Sequence, residues 1–265
     1  MNTLEIERRL RSLSKYDLIM DSYCLGLGEH LDEPASIRIS KSSYPGFEAH
    51  LFTIADASLW QTELTETSDV ILRNSSHPSI RVQSWYRLLG NLPRIMDALS
   101  LYRQGLRHGI IPSVQWISSE YQWYRQNWEA SLHESYSTQD FLYSVDASIR
   151  SHIKELNELG FLTTQSCSGL PMDHPDREEY LPYVSFDERA YPRVSAHLFT
   201  LADMTGWIPI YGPHNFDVEL TLQTPEKAER MWERLVVGAR YLAPLLADYR
   251  LRFKTNSYGY TEQTP

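Results

Sequence analysis

One segment of this chain occurs twice. Residues 44–60 return as residues 191–207, with ten of the seventeen positions identical at an offset of 147 residues, whereas ordinary residue usage would give about one match. Both copies contain Ala-His-Leu-Phe-Thr, then Ala-Asp one residue later, and end on Trp. An internal duplication is the simplest explanation, so we expect the shared residues to encode a common fold. Residues that occur in only one copy are then the better candidates for chemistry.

Alignment of the two halves predicts the same order of elements in each: helix, strand, strand, helix, strand, strand, helix. In the second half, apolar residues at helical spacing up to Leu159 precede a strand-like run from Phe161 to Ser166. Because single turns can join consecutive strands, we expect an α+β fold with mainly antiparallel sheets. We also expect a pseudo-twofold relation between the units, with a cleft between them as a ligand site.

The chain divides into three predicted parts. Residues 1–103 form the first copy, residues 104–145 a bridging helical segment, and residues 146–265 the second copy, which carries the candidate functional site. The bridging segment places Trp116, Trp128 and other aromatic residues along one helical face. We interpret it as an aromatic-rich helix that packs between the copies, and its alternative use is as a contact surface for a partner.

Composition limits the class of protein. Of the 265 residues, 42% are apolar, which is enough for a real core. No unbroken apolar run reaches the roughly 18 residues of a membrane-spanning helix, and the N-terminal residues are charged and polar where a signal peptide would be apolar. We therefore expect a soluble cytoplasmic protein without a membrane partner.

Charge and cysteine content narrow the partners. A net charge of −9 and a pI near 5.5 disfavour nucleic acid as a partner, although a local basic groove would still be compatible with these values. Two cysteines, Cys24 and Cys167, are too few for a disulfide scaffold and lie at corresponding places in the halves, so we expect free thiols. A small-molecule ligand is the expected partner, and a homo-oligomer is left open.

The sharpest difference between the halves lies at the cysteines. The second copy reads Gln-Ser-Cys-Ser-Gly from Gln165 to Gly169, where the first has Ser-Tyr-Cys-Leu-Gly. A strand that ends in small hydroxyl residues and glycine offers backbone donors to a carboxylate, a phosphate or a sulfonium-bearing cofactor. We predict that Ser166, Ser168 and Gly169 bind a cofactor.

The loop that follows is rich in ionisable side chains. We predict catalytic roles for Cys167, Asp173 and His174, and a substrate-binding role for Arg177. Cys167 and His174 could pair as thiolate and imidazole, but no third orienting group is identifiable from the spacing. The same residue types do not follow a known zinc spacing, so we predict no metal site. The alternative interpretation is a solvated loop with internal ion pairs.

Three further residues are predicted to contact substrate. Tyr183 lies in the strand after the loop, His197 in the repeated helix, and His214 in a turn between two predicted strands of the second half. Because His197 has a counterpart, His50, in the first copy, a repeated structural hydrogen bond is its alternative role. The turn at His214 could equally be only a connection.

The run Thr-Thr-Gln-Ser-Cys-Ser-Gly at residues 163–169 resembles a motif of the wybutosine-synthesis methyltransferase family, whose members modify tRNA. The later order of a strand at 216–222 and a helix that starts at Thr224 is similar to the same family. The resemblance covers about a hundred residues of the second half. It implies methyl transfer that depends on S-adenosylmethionine, with residues 166–169 near cofactor or substrate.

Two functions of different classes follow. As an enzyme, the protein would act on a small molecule or modified nucleotide at residues 166–186, with the first half as a structural partner. As a ligand-binding or assembly protein, it would use the cleft between the halves without catalysis. Convergence of the polar groups of residues 166–186 around a pocket would favour the enzyme.

Overall fold

A computed structural model describes residues 3–40, 47–65, 69–103, 142–175, 181–187, 190–211, 217–222 and 227–254. The chain forms two compact units, one of residues 1–100 with 245–265 and one of residues 101–244. Most of the predicted bridging segment, residues 104–141, lies outside the described residues. None of the described helices is long and apolar enough to cross a membrane.

The first unit contains the predicted order of elements. Its four strands form one antiparallel sheet in the order β1-β2-β4-β3. His77 caps the third helix and Pro78 occupies its first turn, where a missing N–H costs nothing. The elements are α1 Thr3–Arg11, β1 Met20–Cys24, β2 Ala35–Ile39, α2 Phe47–Ser58, β3 Gln61–Leu64, β4 Val70–Asn74 and α3 Pro78–Ala98. The short α4 Ser100–Arg103 begins at the last residue of this stretch and continues into the second unit.

The second unit repeats this order and the same strand connections. Its sheet has the order β5-β6-β8-β7, again antiparallel throughout. The predicted helix start at Thr224 lies outside the described residues, and the C-terminal end of the last helix, from residue 245, groups with the first unit. The elements are α5 Arg150–Glu158, β5 Thr163–Cys167, β6 Tyr183–Asp187, α6 Val194–Thr205, β7 Ile208–Tyr211, β8 Asp217–Thr221 and α7 Ala228–Lys254.

One face of each sheet forms a core with the helices. In β2 and β4 every second residue is buried, as alternation on a pleated strand requires. Ile37 lies opposite Leu72 in the first sheet, and Val184 lies opposite Leu220 in the second, and all four side chains are buried. The repeated helices α2 and α6 are buried almost all round, so the repeated sequence encodes the central helix of each unit.

A pair of tryptophans shows how closely the two units agree. Trp60 and Trp85 meet edge to face with ring centroids 4.7 Å apart and planes at 68°. Trp207 and Trp232 do the same at 5.0 Å and 68°. The indole N–H groups of Trp85 and Trp232 donate to the backbone just after β1 and β5, to the carbonyls of Leu25 and Ser168. The α+β class and the duplication are therefore confirmed, and the pseudo-twofold relation stays a prediction.

Candidate functional site

The turn after β5 is held in a shape that requires glycine. Gly169 has φ of +66°, and a Cβ at this position would lie 2.5 Å from a ring carbon of Pro182. The hydroxyl of Ser168 accepts a hydrogen bond from the N–H of Leu170 at 3.1 Å. The backbone carbonyl of Ser168 accepts a second one from the indole N–H of Trp232. The Ser-Cys-Ser-Gly segment is thus a fixed turn anchored to the core.

The longer connection of the second half folds back onto this turn. Cys24 pairs with Ser36 in the first sheet and Cys167 with Tyr183 in the second, so the loop between the strands is four residues longer in the second unit. Two backbone hydrogen bonds, from Asp173 to Leu170 and from His174 to Pro171, shape the extra residues. They bring Nε2 of His174 to 3.3 Å from Sγ of Cys167. The two side chains are therefore in contact, and their pairing as thiolate and imidazole stays a prediction.

A third residue that the sequence did not reveal completes the cluster. Asp146 lies in the turn before α5, and its Oδ2 is 3.1 Å from Nε2 of His174. The same Oδ2 accepts a hydrogen bond of 2.7 Å from the backbone N–H of Ser168. The ligand-type atoms of Asp146, Cys167 and His174 all lie within 4.8 Å of one another. We call these three residues the Asp-Cys-His cluster.

The cluster differs from the triad of a nucleophilic enzyme. In such a triad the nucleophile faces one imidazole nitrogen and the carboxylate faces the other, so that a proton can pass from the nucleophile to the oriented base. Here the sulfur of Cys167 and the carboxylate of Asp146 both lie against Nε2 of His174. The carboxylate therefore competes with the thiol for one nitrogen and does not orient the ring for it.

The charge around the thiol also opposes a nucleophilic thiolate. Burial raises the pKa of the Cys167 thiol above its ordinary value, and the nearby carboxylates of Asp146 and Asp173 raise it further. A hydrogen bond from the backbone of Gly169 opposes this only in part. Since the thiolate is the reactive form, the free side chain is poorly activated at neutral pH.

Asp173 serves the turn and does not join the cluster. Burial raises the pKa of its carboxyl, but hydrogen bonds from Ser148 and Ser168 outweigh this and hold the pKa below its usual value. The hydroxyl of Ser148 donates to Oδ2 of Asp173 in a short contact. The carboxylate therefore ties the loop to the start of α5, which is a positioning role.

A small pocket lies beside β5, the edge strand that carries the motif. Its volume is ≈ 210 Å³, and Ser144, Val145, Thr164, Gln165, Ser166 and Tyr183 line it. The hydroxyl oxygens of Thr164 and Ser166 are buried and have no hydrogen-bond partner among the described residues. Because water hardly reaches these oxygens, a bound polar group or a small shift of the side chain is needed to satisfy them.

Two titratable groups on β6 and β8 lie on the same face of the sheet. Burial raises the pKa of Tyr183, as do the charges of Cys167, Glu219 and Asp146, so the phenol stays protonated. Burial alone raises the pKa of the Glu219 carboxyl. Glu219 was not a predicted site residue because nothing in a single strand sequence marks a half-buried carboxyl. Its charge acts on Tyr183, a residue of the pocket wall, which makes it a candidate proton donor.

The remaining predicted residues fall elsewhere. His197 is fully buried in α6 and stacks on Tyr191 with ring centroids 5.5 Å apart, so its place is the core of the unit and not the pocket wall. Arg177 and His214 lie outside the described residues. Of the predicted substrate residues, Tyr183 is the one that the structure places at the pocket.

No protein-family model, no curated protein and no solved structure matches this chain. The resemblance at residues 163–169 therefore stays a prediction. The pocket and the Asp-Cys-His cluster are the two features of the second unit that point to a function.

Proposed function

We propose that this protein is an enzyme that binds a small polar molecule in the pocket beside β5, and that its reaction is methyl transfer from S-adenosylmethionine. The observation that carries the proposal is the pair of unpartnered hydroxyls, Thr164 and Ser166, on residues that line the pocket. Native proteins leave few buried polar groups unpaired, so a bound ligand that the two hydroxyls reach by a small side-chain rotation is a natural partner for them.

The volume and polarity of the pocket suit one end of such a cofactor. Its ≈ 210 Å³ lies below the roughly 300–1,000 Å³ of sites that enclose drug-sized ligands. The methionine end of S-adenosylmethionine carries a carboxylate and an ammonium group, and hydroxyl groups can hydrogen-bond to both.

Methyl transfer also agrees with the weak activation of the protein's own nucleophile. The cofactor supplies the reactive methyl group, and the protein contributes mainly positioning and exclusion of water. A buried thiol with a raised pKa is no obstacle to such a reaction. The motif Thr-Thr-Gln-Ser-Cys-Ser-Gly supplies β5 and the turn after it, which are the elements beside the pocket.

Replacing Thr164 with Val tests the proposal, because the change removes the hydroxyl and keeps the volume. A ligand at 100 times its dissociation constant adds about 2.7 kcal/mol to folding stability, so S-adenosylmethionine and S-adenosylhomocysteine should raise the melting temperature of the wild type. Thr164→Val and Ser166→Ala should each weaken binding about tenfold, the loss of roughly one hydrogen bond. The free Thr164→Val protein should be about 1–2 kcal/mol more stable, since it no longer buries an unpaired hydroxyl.

Thr164→Ser is the matched control, since it keeps the hydroxyl and should keep most of the affinity. Absence of any melting shift or calorimetric binding at millimolar cofactor would refute the cofactor assignment. Binding without formation of S-adenosylhomocysteine in the presence of candidate acceptors would favour the second candidate, a non-catalytic ligand-binding protein. The predicted cytoplasmic location, oligomeric state and lack of a nucleic-acid partner stay predictions.

A further inference from the structure

Three electron-rich atoms converge at the end of β5. They are the Sγ of Cys167, the Nε2 of His174 and the Oδ2 of Asp146. The nitrogen lies 3.3 Å from the sulfur and 3.1 Å from the oxygen. A single imidazole nitrogen carries either one proton or one lone pair, so it cannot form a full hydrogen bond to each neighbour. All three atoms are of the kinds that bind metal ions, and one cation between them would interact with all three at once.

The separations are close to those of a tetrahedral metal centre. Bond lengths of about 2.0–2.1 Å for nitrogen and oxygen and about 2.3 Å for sulfur place tetrahedral ligand atoms roughly 3.3–3.6 Å apart. The two measured contacts of 3.3 and 3.1 Å are near this range, and the third separation is below 4.8 Å. Small side-chain movements would therefore suffice for all three to bind one ion.

The donor set selects a class of metal. A thiolate and an imidazole favour zinc and its first-row neighbours, whereas calcium and magnesium prefer oxygen ligands alone. Three protein ligands leave the fourth tetrahedral position for water or another molecule, as in catalytic zinc sites. The side chains of Asp146 and His174 are 18% and 21% exposed, so an ion can enter from solvent.

The surrounding structure orients the ligands in advance. The backbone N–H of Ser168 holds the oxygen of Asp146, and the core indole of Trp232 holds the carbonyl of Ser168. Cys167 ends a paired strand and is 6% exposed. Supporting hydrogen bonds of this kind are typical of metal sites, where they fix ligand direction.

We propose that Asp146, Cys167 and His174 form a binding site for one divalent transition-metal ion, with zinc as the natural occupant. Binding converts the Cys167 thiol to a thiolate as the metal–sulfur bond forms, and the released proton passes to solvent. The site does not depend on the proposed methyl transfer, and it adds to the second unit a metal centre that the sequence alone did not predict.

The first unit provides an internal control. Its corresponding cysteine, Cys24, lies 3.4 Å from a carboxylate oxygen of Glu33. The described part of that unit places no histidine with this pair, and the only three-ligand group of His, Cys, Asp or Glu among the described residues is the Asp-Cys-His cluster. One ion per chain is therefore expected.

The test uses the full chain, free of any histidine tag, stripped with a chelator and titrated with Zn²⁺ or Co²⁺ alone. The expected result is one ion per chain, with a sulfur-to-cobalt charge-transfer band in the Co²⁺ protein. His174→Gln and Asp146→Asn should weaken binding by at least the roughly 10–100-fold that loss of a supporting hydrogen bond costs at metal sites. Cys167→Ser should remove the charge-transfer band, while Cys24→Ser should leave both the band and the stoichiometry unchanged.

Each alternative result overturns the proposal. Absence of stoichiometric binding at micromolar metal would do so, as would binding that His174→Gln and Asp146→Asn do not weaken. A Cys24→Ser variant that lost the cobalt band would place the thiolate elsewhere. Circular dichroism of the metal-free variants separates loss of binding from loss of fold. Since no S-adenosylmethionine is present, failure here and failure of the methyl-transfer proposal are independent results.

Discussion

The connections after β1 and after β5 begin at equivalent cysteines and have different contents. In the first unit, the buried guanidinium of Arg81 fills the connection and donates to the carbonyls of Gly26, Leu31, Glu33 and Ser76. In the second unit the corresponding position on the last helix is Ala228, four residues before Trp232 as Arg81 is before Trp85. The longer loop with the Asp-Cys-His cluster follows β5 instead. One scaffold thus supports a closed, cation-filled turn in one copy and a cluster of metal-ligand atoms in the other.

Among the substitutions that test the difference between the two connections, removal of the Arg81 side chain should have the largest effect on stability. Arg81→Ala leaves the four carbonyls that it bonds without their donor in a region where the arginine itself is only 6% exposed. We expect the free energy of unfolding to fall by about 3–5 kcal/mol, because hydrogen bonds to a buried charge are among the stronger ones. Urea unfolding followed by tryptophan fluorescence measures this loss.

The control for that variant is Arg8→Ala. Arg8 is 78% exposed and pairs with Glu5 on the surface of α1, so its loss should change stability by no more than about 0.5 kcal/mol. Equal, small effects of the two substitutions would mean that Arg81 does not hold the β1–β2 connection. Metal binding by the second unit should be unchanged in both variants.

Both connections begin with a glycine in the left-handed conformation, a feature that the two units share. Gly26 and Gly169 have φ of +60° and +66°, and added Cβ atoms would lie within 2.7 and 2.5 Å of neighbouring atoms. Gly26→Ala and Gly169→Ala should therefore each cost about 2–3 kcal/mol, through the left-handed backbone and the close contact together. Thermal and urea unfolding of the two variants measures both costs.

Gly90 gives the opposite expectation and serves as the control. It lies inside α3, and a Cβ there would meet nothing within 4 Å. Gly90→Ala should raise stability by about 0.5–1 kcal/mol, because alanine has the higher helix propensity. A Gly169→Ala protein as stable as Gly90→Ala would contradict the constrained turn after β5.

Much of the fold could be predicted because the duplication repeats its core. The repeated segment 191–207 contains α6 and ends at Trp207, just after the helix. The repeated tryptophan has the same packing in both units. Strand β3 has no individual signal in the sequence, since Gln61–Leu64 is short, has three polar residues before Leu64 and has no buried position. The central order of elements did not depend on it, because the second copy shows the same pair of strands more clearly.

The site could be predicted only in part, for reasons of geometry. Cys167 and His174 are seven residues apart, so the sequence raised their pairing as a possibility without fixing the distance, and the structure places Sγ and Nε2 3.3 Å apart. Asp146 enters from the turn before α5, and only the tertiary fold brings it to that loop. Asp173 was the nearer carboxylate in sequence, but its turn directs it to Ser148. Sequence spacing locates a loop, whereas the direction of each side chain depends on neighbours from other elements.

The smallest expected difference between the units is in the pH dependence of stability, and it comes from His152 of α5. Its ring centroid lies 6.5 Å from that of Trp232, whereas the corresponding residue of α1, Arg9, is exposed and pairs with Glu5. Burial lowers the pKa of His152, an effect that Arg240 reinforces and that three carboxylates, Glu155, Glu233 and Glu229, oppose in part.

The sign of the pH effect follows from that depressed pKa. The unfolded chain takes up a proton on His152 near pH 6.5, while the folded protein resists protonation to lower pH. Stability from this residue is therefore complete above about pH 6.5 and declines as the pH falls through the folded pKa. In His152→Phe and His152→Gln, unfolding free energies at pH 7.5 and 5.5 should differ less than in the wild type. If both variants keep the pH dependence of the wild type, folding does not lower the pKa of His152. If only one variant changes it, the change in unfolding free energy comes from the packing of the new side chain.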